Sequence, residues 1–108
     1  MIAFIAHLNV PAQNAAAFEE LMQYVSQTSL DNEPGVDYYG FAKSVEKPDT
    51  YVVIEIYRDQ DACVSHGDTA WVRESLPKAL QLTDGMPQLA QYVSPGAESV
   101  VSRFEDLA

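Results

Sequence analysis

Tyr51-Val-Val-Ile-Glu-Ile-Tyr57-Arg-Asp-Gln-Asp-Ala62-Cys-Val-Ser-His66 reads as a strand that feeds straight into a short helix. From Tyr51 to Tyr57 every residue except Glu55 is β-branched or aromatic, the composition of a strand covered on both faces. Asp59 is placed to cap the helix, Asp61 falls in its first turn where negative charge is favoured, and Gly67 supplies a C′ stop. Ala62, Cys63 and His66 then share one helix face. One of the chain's two histidines is thus delivered to a helix end, on the apolar side.

Working outward, Ile2 to Val10 is a first strand. Its Ile2, Phe4, Ala6, Leu8 and Val10 face is wholly apolar, and its Ala3, Ile5, His7 and Asn9 face is mixed, suited to a cavity or a partner. Pro11-Ala-Gln-Asn14 turns the chain, with Asn14 capping a helix in which Phe18, Leu21, Met22 and Val25 recur at helical spacing. Asp31-Asn-Glu-Pro-Gly35 ends that helix, because Pro34 disfavours helical backbone at Glu33 and Gly35 permits a tight turn. Val36 to Val45 is a second strand, with Tyr38, Gly40 and Ala42 on one side and Tyr39, Phe41 and Val45 on the other; Lys47-Pro-Asp-Thr50 connects it, hairpin fashion, to Tyr51.

Downstream, Asp68 or Thr69 caps a third helix with Val72, Leu76, Ala79 and Leu80 in one stripe and Trp71 and Leu82 beside it. Pro77 predicts a kink there, or a division at Leu76. Asp84-Gly-Met-Pro87 breaks the chain, Gln88 to Val93 is a short last strand, and Ser94-Pro-Gly96 closes it. The tail from Ala97 to Ala108 reads as either a terminal helix or a strand arm through Val100, Val101 and Phe104.

The order β-α-β-β-α-α-β predicts an α+β fold, helices on one face of an antiparallel sheet. Its 108 residues make one domain, with a core over about residues 1–95 and a tail from 96. Three strands are apolar on both faces, yet the helices of one chain cover only one. The other face needs a second sheet, and the simplest source is a second copy, so a homodimer is expected.

A formal net charge of −10 argues against nucleic acid and anionic membrane as partners. One cysteine makes no intramolecular disulfide, and Cys63 has no basic neighbour in sequence to make it a thiolate. Met1-Ile-Ala-Phe-Ile-Ala-His7 carries no Lys or Arg and is too short for a signal segment or a membrane span. A soluble cytoplasmic protein is expected.

Glu33-Pro-Gly35, Tyr39 and the run Ile54-Glu-x-Tyr57-x-Asp-x-x-Ala62-x-x-x-His66-x-x-Thr69 resemble the antibiotic biosynthesis monooxygenase family, over roughly residues 1 to 95. The resemblance implies a dimeric α/β barrel of ferredoxin-like subunits, with a pocket between sheet and helices. The family's members include cofactor-independent quinol and anthrone monooxygenases and haem-degrading enzymes. The quinol-oxidising members imply a pocket histidine at the position of His66, whereas no second histidine follows on the next helix to serve as a haem ligand. Tyr57 stands where the family usually has Trp.

His66 is the candidate general base, since an ordinary imidazole titrates near working pH; the alternative is a packed histidine bonded to a backbone carbonyl. Asn9 is a candidate catalytic anchor for oxygen or a substrate carbonyl, and His7 shares its strand face. Tyr39, Tyr57 and Trp71 are candidate walls for an aromatic substrate, or ordinary core. Tyr57 and Glu55 share a strand face, so a buried hydroxyl–carboxylate hydrogen bond is a structural use for both, and desolvation would raise Glu55. The two histidines lack metal-ligand spacing and no nucleotide, flavin or acyl-transfer motif is present, so neither metal nor cofactor is expected. The reading is a cofactor-independent monooxygenase that oxidises a quinol or anthrone-like aromatic with molecular oxygen. The alternative is a non-catalytic dimeric barrel that binds a small apolar molecule or assists a pathway.

Overall fold

In the computed structural model, which describes residues 1–101, the elements follow in the predicted order. They are β1 (Ile2–Asn9), a 3-10 turn (Ala12–Asn14), α1 (Ala15–Asn32), β2 (Val36–Lys43), β3 (Thr50–Tyr57), α2 (Gln60–Gly67), α3 (Ala70–Leu82) and β4 (Gln88–Val93). The strands form one antiparallel sheet in the order β2-β3-β1-β4, a ferredoxin-like α+β fold. Strands β1 and β3 lie at its centre, paired without a slip from Ile2–Tyr57 to Asn9–Thr50.

That register decides which residues meet the helices. Ile2, Phe4, Ala6 and Leu8 of β1 align with Tyr57, Glu55, Val53 and Tyr51 of β3, and all but Glu55 are buried. Phe18, Met22 and Val25 of α1 complete the core over this inner face. Phe18 is wholly buried, its ring tilted 5.0 Å from that of Tyr51; burying one such ring contributes roughly 1.5–3 kcal/mol. The Tyr51 hydroxyl donates to Glu19 and ties β3 to α1. The other sheet face carries Ala3, Ile5, Val52, Ile54, Ile56 and Ala90, half-covered in the single chain, with Tyr38 and Tyr92 exposed at its edges.

The Asp59 side chain caps α2, accepting from Ala62 N–H at 2.8 Å. Asp59→Ala is expected to lower the unfolding free energy by about 1 kcal/mol, read as a shifted urea midpoint at unchanged m-value. Gly35 is required by contact: a Cβ there would stand 2.5 Å from that of Ala62. Any larger residue would push α2 off β2.

Several local expectations are corrected. Asn14 precedes α1 but makes no capping bond; its amide donates to the Leu82 carbonyl instead, joining the start of α1 to the end of α3. Gly67 is the last residue of α2, without a left-handed backbone, and Asp68 follows as the cap. β2 stops at Lys43, so Val45 is almost fully exposed in the loop. Helix α3 runs through Pro77 undivided, its packing against α1 outweighing the hydrogen bond that proline removes. Val100 and Val101 are neither helix nor strand. A Gln91 side chain that donates to the Val100 carbonyl and accepts from its N–H holds that segment against β4. Phe104 and the remaining tail lie outside the described residues. Among the described residues no helix is long and apolar enough to cross a membrane.

Candidate active site

The ends of α1 and α2 meet the inner sheet face at His66. Its side chain is 7% exposed, and Nδ1 lies 3.0 and 3.1 Å from the two oxygens of Glu33, the residue that terminates α1. Glu33 also accepts the Trp71 indole N–H at 3.1 Å, and the same N–H reaches the wholly buried Ser29 at 3.2 Å. A carboxylate that already accepts one N–H accepts Nδ1–H as well, which leaves the lone pair of His66 on Nε2. Nε2 faces Glu55, whose Oε1 is 3.9 Å away, too far for a hydrogen bond. The imidazole is clasped by two tyrosines, Tyr39 at 5.1 Å and Tyr57 at 5.3 Å between ring centroids.

Glu55 accepts from the Tyr57 hydroxyl. Burial pushes its carboxyl above the usual carboxylate range and nearby Glu33 pushes the same way, while the Tyr57 hydrogen bond and His66 oppose them. Burial, then the charge of Glu55, likewise raises both Tyr39 and Tyr57, so these phenols stay neutral. Cys63 is half-buried nearby, its thiol pushed up to about 11 by burial and then by Glu55. At pH 8 its thiolate fraction, and with it iodoacetamide alkylation, is expected to fall about 10²-fold below that of an unperturbed thiol; labelling at the rate of a free cysteine would contradict this environment.

Two connected hollows open from this cluster. The larger, about 530 Å³, is lined by Phe4, Tyr39, Glu55, Cys63, His66 and Val72, with Val100 and Val101 along its rim. The smaller, about 80 Å³, runs inward between α1, α3 and the sheet past Phe18, Met22, Val53 and Leu80. Tyr39, Glu55, Val72 and Leu76 line both. The space suits a flat, mostly apolar molecule with one ionisable group directed at His66 and Glu55.

A family model for antibiotic biosynthesis monooxygenases matches residues 1–76. The chain belongs to that family. No curated protein sequence matches it. Among solved structures, a proposed antibiotic biosynthesis monooxygenase from Caulobacter crescentus CB15 is 27% identical with a TM-score of 0.80, covering 84% of this chain and 86% of its own. A conserved protein from Methanosarcina mazei Go1 is 21% identical with a TM-score of 0.80, over 84% of this chain and 89% of its own. A third, from Nitrosomonas europaea, is 20% identical with a TM-score of 0.79, over 87% and 98%.

Within this monooxygenase-family fold the candidate residues separate. His66 and Tyr39 line the larger hollow. Tyr57 lies behind the imidazole, edge-on to Phe4, and lines neither hollow. Trp71 likewise lines neither, because its N–H anchors Glu33 and Ser29. His7 and Asn9 are not brought to His66: they project from the opposite sheet face, at the far end of β1 from Ile2 and Tyr57. There they border a separate cleft of about 390 Å³ with Lys47, Thr50, Met86 and Gln88. Glu33, part of the Glu33-Pro-Gly35 motif, carries no local sign of a site role beyond ending α1. Among the described residues no group of three His, Cys, Asp or Glu side chains is disposed to hold a metal ion.

Proposed function

We propose that the chain is a monooxygenase that oxidises an anthrone- or quinol-like aromatic with molecular oxygen and without a cofactor, with His66 as general base. The observation that supports this most is the pairing of His66 Nδ1 with Glu33, which leaves Nε2 on the cavity side beside Glu55. A base oriented by a second group in a mostly apolar pocket is the arrangement proton abstraction requires.

The chemistry needs little else. Nε2 takes a proton from the substrate and leaves an electron-rich anion. The anion passes one electron to oxygen, and the two radicals join as a peroxide on carbon. Loss of water turns the original CH₂ into C=O; one oxygen atom enters the product, and the other leaves with both substrate hydrogens. Tyr39 provides the stacking wall, and the apolar lining excludes water that would stabilise the charged intermediates elsewhere. Asn9, on the far face, is assigned no part in these steps.

The half-covered outer sheet face, Ile5, Val52, Ile54 and Ile56 at its centre, is the expected seat of a second copy. The functional test is oxygen uptake by chelator-treated protein with anthrone, 1,8-dihydroxyanthrone and a naphthohydroquinone. Expected is stoichiometric uptake with, for every substrate, a product that has gained one oxygen and lost two hydrogens, the other oxygen leaving as water. Tight binding of these compounds without uptake would leave a non-catalytic binding protein.

A further inference from the structure

Among the described residues Glu55 is the one acidic side chain on the inner sheet face at the junction of the two hollows, and it has no role in the steps above. It stands opposite Phe4 of β1 and Tyr39 of β2 in the sheet register, so it projects directly under any molecule that fills the larger hollow. The groups around it are Tyr39 on β2, Tyr57 on its own strand, Glu33 at the end of α1, and Cys63 and His66 on α2. Arg73 of α3 and Asp68 also border the larger hollow, but both are exposed and paired with each other at 3.2 Å. Among the described residues His66 is therefore the one buried group that can carry positive charge beside Glu55. It is committed to Glu33 at 3.0 Å and lies 3.9 Å from Glu55.

We propose that Glu55 is the second proton-transfer residue of the site, held as a neutral carboxylic acid until His66 is charged and then donating to the peroxide oxygen. The inference rests on the proposed monooxygenase reading. Its logic is the electrostatics of the cluster. While His66 is neutral, ionising Glu55 would place a second desolvated carboxylate beside Glu33. Once His66 has accepted the substrate proton, an imidazolium stands 3.9 Å away and stabilises the carboxylate. Proton abstraction by one residue therefore makes the other a better acid.

The proton balance closes with these two groups alone. His66 takes the first proton from the substrate carbon or its phenol tautomer. After the radicals recombine, Glu55 protonates the terminal peroxide oxygen and becomes a carboxylate. In the collapse, Glu55 takes the second substrate proton, the C–O bond becomes C=O as the O–O bond breaks, and the departing hydroxide takes the proton held by His66. Water leaves, His66 is neutral again and Glu55 is again protonated. No external acid, base or reductant enters.

The test is Glu55→Gln, which keeps the shape and lets the amide oxygen accept the Tyr57 hydroxyl while removing the exchangeable proton. Two readouts apply. At pH 7 the wild-type infrared spectrum should carry a protonated-carboxyl C=O band that Glu55→Gln lacks, with or without substrate. With 1,8-dihydroxyanthrone in single turnover, the variant should still consume oxygen but build up a substrate-plus-O₂ adduct, its conversion to quinone slowed by about 10²-fold or more, the range for removal of a general acid. Absence of the band, or quinone formation by Glu55→Gln at the wild-type rate, would overturn the donor role while leaving His66 as base. Failure of the wild-type protein to consume oxygen with any of the probes would bring down the monooxygenase reading and the donor role with it.

Discussion

His66→Gln should lower turnover of an anthrone by about 10²–10⁴-fold, the range for losing a positioned general base. Glutamine fills similar volume, and its amide N–H can still donate to Glu33, so the ties from Glu33 to Trp71 can remain. What it cannot do is accept a proton. The loss should fall on kcat, with KM little changed, because Tyr39 and the apolar walls that hold the substrate are untouched. His66→Ala should be at least as slow, but it also opens a cavity and leaves Glu33 with one donor fewer, so it cannot separate chemistry from packing. Oxygen-electrode rates for both variants, with circular dichroism as the check on folding, decide the matter. If His66→Gln oxidises the substrate near the wild-type rate, His66 is a packed histidine and the base lies elsewhere.

Ile54→Arg should convert a dimer into monomers. Ile54 is central on the outer sheet face, between Ile5 of β1 and Gly40 of β2. In a sheet-to-sheet interface an arginine there would be buried without a partner, at a cost of about 3–5 kcal/mol per copy. At about 1.4 kcal/mol per tenfold, that weakens association by roughly 10²- to several 10³-fold for each of two copies. The same arginine in a free chain points into water, so the inner core stays as it is. Sedimentation velocity at micromolar concentration should show wild-type dimer and a folded variant monomer. A stably folded wild-type monomer, or a variant dimer of unchanged affinity, would show that the outer face is not the interface.

These two substitutions probe opposite faces of one sheet, and local pattern does not say which of those faces the helices cover. Element order, strand faces and the Asp59 cap depend on periods of two and about 3.6 residues and on short-range capping, so they were legible in Tyr51–His66 and its flanks. The same locality brought His66 to a helix end on the apolar side, and put Tyr57 and Glu55 on one strand face, where the hydroxyl does donate to the Glu55 carboxyl. His7 and Asn9 share the mixed face of β1, as strand alternation dictates. Which face the helices would cover was decided by packing: the Ile2, Phe4, Ala6, Leu8 face buries more apolar surface, so α1 and α3 lie there, and Asn9 is left on the far side. Asn14 and Pro77 departed from their local expectations for the same reason, since contacts between α1 and α3 outweighed a cap and a missing hydrogen bond. The clasp on the imidazole was the least legible feature. Glu33 and His66 are 33 positions apart and Trp71 is 38 from Glu33. Local pattern carries no record of such pairs; they exist because Gly35, against Ala62, lets α2 close onto the end of α1.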